Sequence, residues 1–273
     1  MVFVSFNGKL YPSDAPLFLA QNRSFRYGDG LFETLKVLNG QPVLSAFHFD
    51  RLWLGMHMLQ ISQPVGFTRE FLLETIIGLC KANDLLQAAR VRLAVFRNDD
   101  NIAEFVIETI PLPPDANLLN EKGWSLELYP FARKSCDALG NLKTANYLIY
   151  ILAGLYAKEK AVDECLVLNT ENNICDGSKA NVFLVHHNEV YTPALHQGCV
   201  NGVMRRYLVE QLKDIGITVH QREISEQFLL EADEVFVTNA ITGMRWISSY
   251  RNKQYRNEIV KDIYQKTVAT LFK

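Results

Sequence analysis

The chain breaks at Leu112-Pro113-Pro114-Asp115-Ala116-Asn117. Two adjacent prolines fix two backbone angles, remove two donors and push the residue before them out of helix. No strand or helix continues through such a stretch. The chain therefore divides into an N-terminal α/β domain over 1–110, a linker over 111–122 and a C-terminal domain over 123–273. At 273 residues it exceeds the size at which one core usually stops growing.

Both halves mix strands and helices. In the first, Val2 to Phe6 and Lys9 to Tyr11 flank Asn7-Gly8 as a hairpin. Phe32 to Leu38 alternates as a strand, and Asn39-Gly40 turns it into Pro42-Val43-Leu44. His48 to Ile61 has helical spacing, and Thr68 is positioned to cap the next helix. Arg90 to Phe96 and Ile102 to Ile110 are strands. In the second half, Trp124 to Tyr129, Cys165 to Asn169, Asn181 to Val185, Glu189 to Thr192, Ile217 to Gln221 and Glu234 to Thr238 are short strands. Helices are expected over Ala145–Lys158 and Val203–Ile215, the second ended by Gly216. Ser225 opens a short helix, a hairpin spans Trp246 to Tyr255, and Asn257 caps a final helix through Leu271. The pattern predicts a two-domain α+β or α/β protein with a cleft between the domains.

Composition narrows the function. Apolar residues are 48%, charged residues 21% and the formal net charge is -2. A nucleic-acid binder would want a basic patch. No run approaches the roughly 18 apolar residues of a membrane span. The N-terminus lacks a basic segment before its apolar part, so no signal peptide is expected. Cys80, Cys136, Cys165, Cys175 and Cys199 are dispersed and have no metal-site spacing. A reducing, cytoplasmic protein without a metal site is the expectation.

Five segments carry candidate chemistry. Lys143 stands just ahead of an apolar-periodic segment, where a desolvated amine can act as a nucleophile. Arg51 offers a guanidinium fork to a phosphate. Gly202 opens a helix whose first amides, on Val203 and Met204, point at an anion. Asp176, just before a strand, can hold a ring nitrogen cationic. Thr238-Asn239 ends a strand, where α/β sheets place ligand groups. Each has a plainer reading as a solvated or turn residue.

Together these segments resemble the fold-type IV pyridoxal-phosphate enzymes, the class IV aminotransferases. Arg26-Tyr27-Gly28-Asp29-Gly30-Leu31-Phe32-Glu33-Thr34 is similar to the family's N-terminal signature, and His48 through Leu52 to its arginine-leucine helix. Leu142 through Asn146, Asp176 to Phe183 and Gly198 through Arg205 resemble its lysine, carboxylate and phosphate motifs. The resemblance implies a two-domain fold with the active site between the domains, a homodimer, and pyridoxal 5'-phosphate as cofactor. It assigns Lys143 to the covalent bond with the cofactor. Arg51, Gly202, Val203, Met204, Thr238 and Asn239 go to the phosphate, and Asp176 goes to the ring nitrogen, where the family usually has glutamate.

Three functions follow from it. Val200-Asn201-Gly202-Val203-Met204-Arg205 and Arg92 to Arg97 resemble 4-amino-4-deoxychorismate lyase, a folate-pathway enzyme that releases 4-aminobenzoate and pyruvate. The alternatives are an amino-acid aminotransferase for branched-chain L- or D-amino acids and a non-catalytic cofactor-binding protein. For the substrate, the resemblance points to Arg97 first, then Arg92, Arg26 and Phe32. Arg92 and Arg97 are five apart and face opposite sides of a regular strand.

Overall fold

The structure is a computed structural model that describes residues 1–113 and 115–272. It separates into two compact units. The first holds Met1–Pro114 and Leu142–Asn146, the second Asp115–Asn141 and Tyr147–Lys273. Pro114, within the expected linker, lies outside the described residues.

In the first unit, strands β1 (Phe3–Phe6) and β2 (Lys9–Pro12) form the expected hairpin. A short helix α1 (Arg23–Tyr27) precedes β3 (Gly30–Leu38). Next come β4 (Gln41–Pro42), α2 (Ser45–Met58) and α3 (Arg69–Ala82), then β5 (Ala88–Arg97) and β6 (Ala103–Pro111). The six strands run in the order β2-β1-β6-β5-β3-β4. Alternation decides which side is core. Leu31, Leu35 and Val37 of β3 and Val91 and Leu93 of β5 are buried with Leu52 and Met56 of α2 and Leu72, Ile76 and Leu79 of α3. Thr68 caps α3 as its position implies, its side chain accepting from the Phe71 amide. The strand expected at Pro42 to Leu44 is cut short, because Leu44 turns left-handed (φ 54°) to start α2.

The second unit contains β7 (Trp124–Leu128), α4 (Leu148–Glu159), β8 (Glu164–Leu168), β9 (Ile174–Gly177), β10 (Asn181–His186) and β11 (Glu189–Pro193). It continues with α5 (Val203–Asp214), β12 (Val219–Arg222), α6 (Glu226–Glu231), β13 (Glu234–Asn239), β14 (Gly243–Tyr250), β15 (Lys253–Gln254), α7 (Glu258–Lys266) and α8 (Val268–Leu271). Its nine-stranded sheet has the order β12-β11-β10-β13-β14-β7-β8-β9, with β15 on β14. Gly216, at φ 78°, follows α5 in the left-handed conformation that ends helices. The final helix is broken at Thr267, whose hydroxyl donates back to the Ile263 carbonyl. Asn257 stands at the N-cap of α7 without a side-chain cap bond.

Two differences from expectation matter for function. Helix α4 begins at Leu148, not Ala145. Residues 142–146 instead complete the edge of β3: the Phe32 amide donates to the Lys143 carbonyl (3.0 Å) and the Ala145 amide to the Gly30 carbonyl (2.8 Å). Backbone groups spent on a strand edge cannot also close helical turns. The second difference follows from the first. The lysine was expected in the C-terminal domain, but by packing its segment belongs to the first unit.

Candidate active site

In the first unit, the strand-edge bonds hold Lys143 half-buried against β3, with Nζ 4.4 Å from the centre of the Phe32 ring. Arg92 meets the same ring, its guanidinium carbon 5.0 Å from the centre. Arg92 stands opposite Thr34 on β3 and opposite Glu108 on β6, which it meets at 3.4 Å. Phe32 and Thr34 lie on the face of β3 turned away from its buried apolar positions.

Arg97 is engaged differently. Nε donates to Asp29 at 3.0 Å, one terminal nitrogen to the Gln60 carbonyl at 3.1 Å and to Asn101, and the other to the Leu59 carbonyl at 2.5 Å. These bonds fasten the end of β5 to the turn after α2. The structure therefore parts the two arginines, with Arg92 at the lysine's ring and Arg97 in a clamp. Arg26 is exposed in the last turn of α1.

Arg51 sits on α2 one turn after His48, and both reach Glu33. Arg51 Nε donates to Glu33 at 2.8 Å, and its second bond to the same carboxylate makes the pair bidentate. His48 Nδ1 donates to Glu33 at 2.6 Å. Glu33 is 1% exposed, on the apolar side of β3. Burial alone would raise its pKa. The Arg51 charge and the bonds from His48 and Arg51 outweigh burial and bring it down from 4.5 to about 2. Burial drives His48 the other way for a base, downward. Glu33 opposes that shift, while Arg51 and Lys143 add to it. His48 is thus a neutral ring that donates from Nδ1, and its buried Nε2 has no hydrogen-bond partner among the described residues.

In the second unit, an anion cradle forms around the start of α5. Gly202 is its N-cap and supplies no side chain to the first-turn amides. A Cβ on Gly202 would lie 1.7 Å from Asn181 Oδ1, so a side chain there would have to displace the Asn181 amide from its bonds to Asp176 and the Val200 carbonyl. Asn181 pairs with Thr238 across β10 and β13. The Thr238 hydroxyl is buried and has no partner among the described residues, an orphaned donor of the kind a bound ligand satisfies. Asn239 accepts the Ile241 and Thr242 amides through Oδ1, shaping the exit of β13.

Asp176 lies on β9, a strand not expected from the sequence, and is 0% exposed. Oδ1 accepts from Asn181 Nδ2 at 2.8 Å. Oδ2 accepts from the Tyr150 hydroxyl at 2.7 Å, the Val200 amide at 2.9 Å and Lys134 Nζ at 3.3 Å. The carboxylate thereby ties α4, β10 and the loop before α5 into one knot. Burial first, then the Asp176 charge, pushes the Tyr150 phenol far up, so it remains a donor. An unpartnered hydroxyl, an uncapped helix start and a crowded glycine together fit the phosphate of the implied cofactor. Asp176 Oδ1, which accepts one donor among the described residues, is the carboxylate atom that would serve the cofactor's ring nitrogen.

Glu33, Lys134, Tyr150 and Asn181 were not singled out as site residues from the sequence. Glu33 had a signal: Leu31, Glu33, Leu35 and Val37 share one face, so a carboxylate interrupts a buried stripe. Lys134 had none.

Similarity to known proteins agrees with this geometry. The chain is 29% identical over 256 residues to the aminodeoxychorismate lyase of Bacillus subtilis, covering 88% of this chain and 83% of that protein. It is 26% identical over 273 residues to a Methanocaldococcus jannaschii protein provisionally named branched-chain-amino-acid aminotransferase, covering 96% and 93%. The crystal structure of a branched-chain aminotransferase from Thermoproteus uzoniensis with norvaline superposes at a TM-score of 0.88. It is 22% identical and covers 99% of this chain and 95% of that one, which establishes the shared two-domain α+β fold. The pattern of the amino-transferase class IV family matches residues 30–250. The chain therefore belongs to the class IV amino-transferase family and is a fold-type IV, pyridoxal-phosphate-dependent enzyme of transamination or lyase chemistry.

Proposed function

We propose that this enzyme is an amino-acid aminotransferase for aliphatic amino acids that carry a single carboxylate. One observation supports this above the others. Arg97, the residue a two-carboxylate chorismate-like substrate would call on, is taken up by Asp29, Asn101 and the carbonyls of Leu59 and Gln60. Arg92 shares the Phe32 ring with Lys143. Arg92, also paired with Glu108 at 3.4 Å, offers one guanidinium at the ring that Lys143 meets, which suits one substrate carboxylate.

Each residue then has a role. Lys143 would bond the cofactor, and its free amine would move the proton at the substrate α-carbon. Arg92 orients the carboxylate and Phe32 packs the aliphatic chain. The Val203 and Met204 amides and the Thr238 hydroxyl would hold the phosphate, with the Asn239 turn beside them, while Arg51, expected there from the sequence, is spent on Glu33. Asp176 serves the ring nitrogen. When bound, pyridoxal phosphate withdraws electrons from the α-carbon. We also propose that the enzyme acts in the cytoplasm as a homodimer. Helix α4 presents Leu148, Ile151 and Leu155 at 67%, 55% and 56% exposure, an apolar stripe suited to a second copy.

A panel of L-branched-chain and D-amino acids with a keto-acid acceptor, run beside aminodeoxychorismate, tests the reading. Keto acid formed from the aliphatic donors is the expected result. Release of 4-aminobenzoate and pyruvate from aminodeoxychorismate, with no keto acid formed from the aliphatic donors, would establish the lyase instead, the reading favoured by Met204 and the Bacillus subtilis relative. Lys143→Ala should abolish both turnover and the visible band of the bound cofactor.

A further inference from the structure

Asp176 is already ion-paired. Lys134 brings Nζ to 3.3 Å from Oδ2, with the lysine side chain 11% exposed and the carboxylate 0%. Backbone pairing fixes the lysine there. Its amide donates to the Leu168 carbonyl at 2.9 Å, and its carbonyl accepts the Thr170 amide at 3.0 Å. Nζ also donates to the Gly140 carbonyl at 2.7 Å and lies 5.2 Å from the centre of the Tyr150 ring.

The other titratable groups near Asp176 do not compete with Lys134. Burial pushes the Tyr150 phenol and the Cys175 thiol far up and the Cys199 thiol to about 12, so all three remain neutral. Arg205 senses Asp176 only at a distance, its guanidinium being bonded to the Pro193 carbonyl and Gln221. Lys134 is thus the cation within bonding reach of this carboxylate among the described residues.

We propose that Lys134 is a positioning residue that tunes the cofactor's ring nitrogen by sharing the charge of Asp176. This rests on the proposed role of Asp176. A carboxylate with its own ammonium stabilises a second cation less than a lone carboxylate does, so the ring nitrogen takes up its proton at lower pH. The site thereby holds a weaker electron sink than an unpaired carboxylate would give. Lys134 also supports the shorter aspartate in its knot with Tyr150, Asn181 and the Val200 amide.

The test uses holoenzyme loaded with cofactor isotopically labelled at the ring nitrogen, followed by nitrogen NMR across pH. Lys134→Gln should raise the titration midpoint of that nitrogen by about one pH unit or more, while Lys134→Arg leaves it near the wild-type value. Asp176→Asn is the control for the underlying role. If it lowers the midpoint and Lys134→Gln does not raise it, the inference about Lys134 fails while Asp176 keeps its place. If Asp176→Asn changes nothing, the role of Asp176 fails first. Should Lys134→Gln not hold cofactor, the wild-type holoenzyme still decides. A nitrogen that titrates within the stable range of the protein supports the proposal, and one protonated throughout overturns it.

Discussion

Glu33 and Glu164 are two buried glutamates, each 1% exposed or less, whose surroundings drive them in opposite directions. Glu33, in the first unit, has a bidentate arginine and a histidine donor, and its pKa falls to about 2. Glu164, in the second, accepts the Cys165 and Ser178 amides and the Ser178 hydroxyl on Oε1, while Oε2 has no partner among the described residues. Burial raises its pKa. The Ser178 bonds and the more distant Lys179 charge oppose burial without overcoming it. Neutral donors lower the cost of a buried carboxylate, but a cation in contact is what keeps it ionised.

Removing the cation should produce the largest effect. Arg51→Met strands an uncompensated carboxylate and should destabilise the fold by about 3–5 kcal/mol, read from urea unfolding at neutral pH. A loss below 1 kcal/mol would put Glu33 on the same footing as Glu164.

The pH dependence should sharpen the contrast. The folded pKa of Glu33 lies below its ordinary 4.5, so its contribution is present above that value and lost as pH falls toward 2. It amounts to about 3 kcal/mol. Glu164 has the opposite sign. Its contribution is present below 4.5 and lost as pH rises through its higher folded value. Across an unfolding series in pH, Glu33→Gln should flatten the acid limb, whereas Glu164→Gln should improve stability at neutral pH. Parallel curves for the two variants would break the comparison.

The smallest effect is expected at an exposed pair. Arg69 and Asp50 meet at 2.8 Å with side chains 42% and 40% exposed. Arg69→Ala should cost at most about 1 kcal/mol, less in high salt, by the same unfolding measurement.

Much of the fold was legible because local patterning carries it. Period-two alternation located β3, β5 and β6. The Thr68 and Ser225 caps and the Gly216 stop agreed with the helices they bound. What escaped was decided by pairing. Nothing local distinguishes residues 142–146 from the first turn of a helix. They become a strand edge because β3 leaves donors and acceptors open at Gly30 and Phe32. The strand carrying Asp176 is four residues long and needs β8 beside it to exist.

The sequence by itself determined the family and the order of the chemistry-bearing segments, since motif spacing is a property of neighbours along the chain. Only the tertiary structure decided that Lys143 packs with the first unit, that Arg97 is a clamp while Arg92 stands at the lysine's ring, and that Asp176 shares its charge with Lys134. These outcomes depend on which donors meet which acceptors far apart in the chain, Lys134 and Asp176 being 42 positions apart and Arg97 and Asp29 68. A buried polar group takes whatever partner the fold brings to it, and local sequence does not encode that partner.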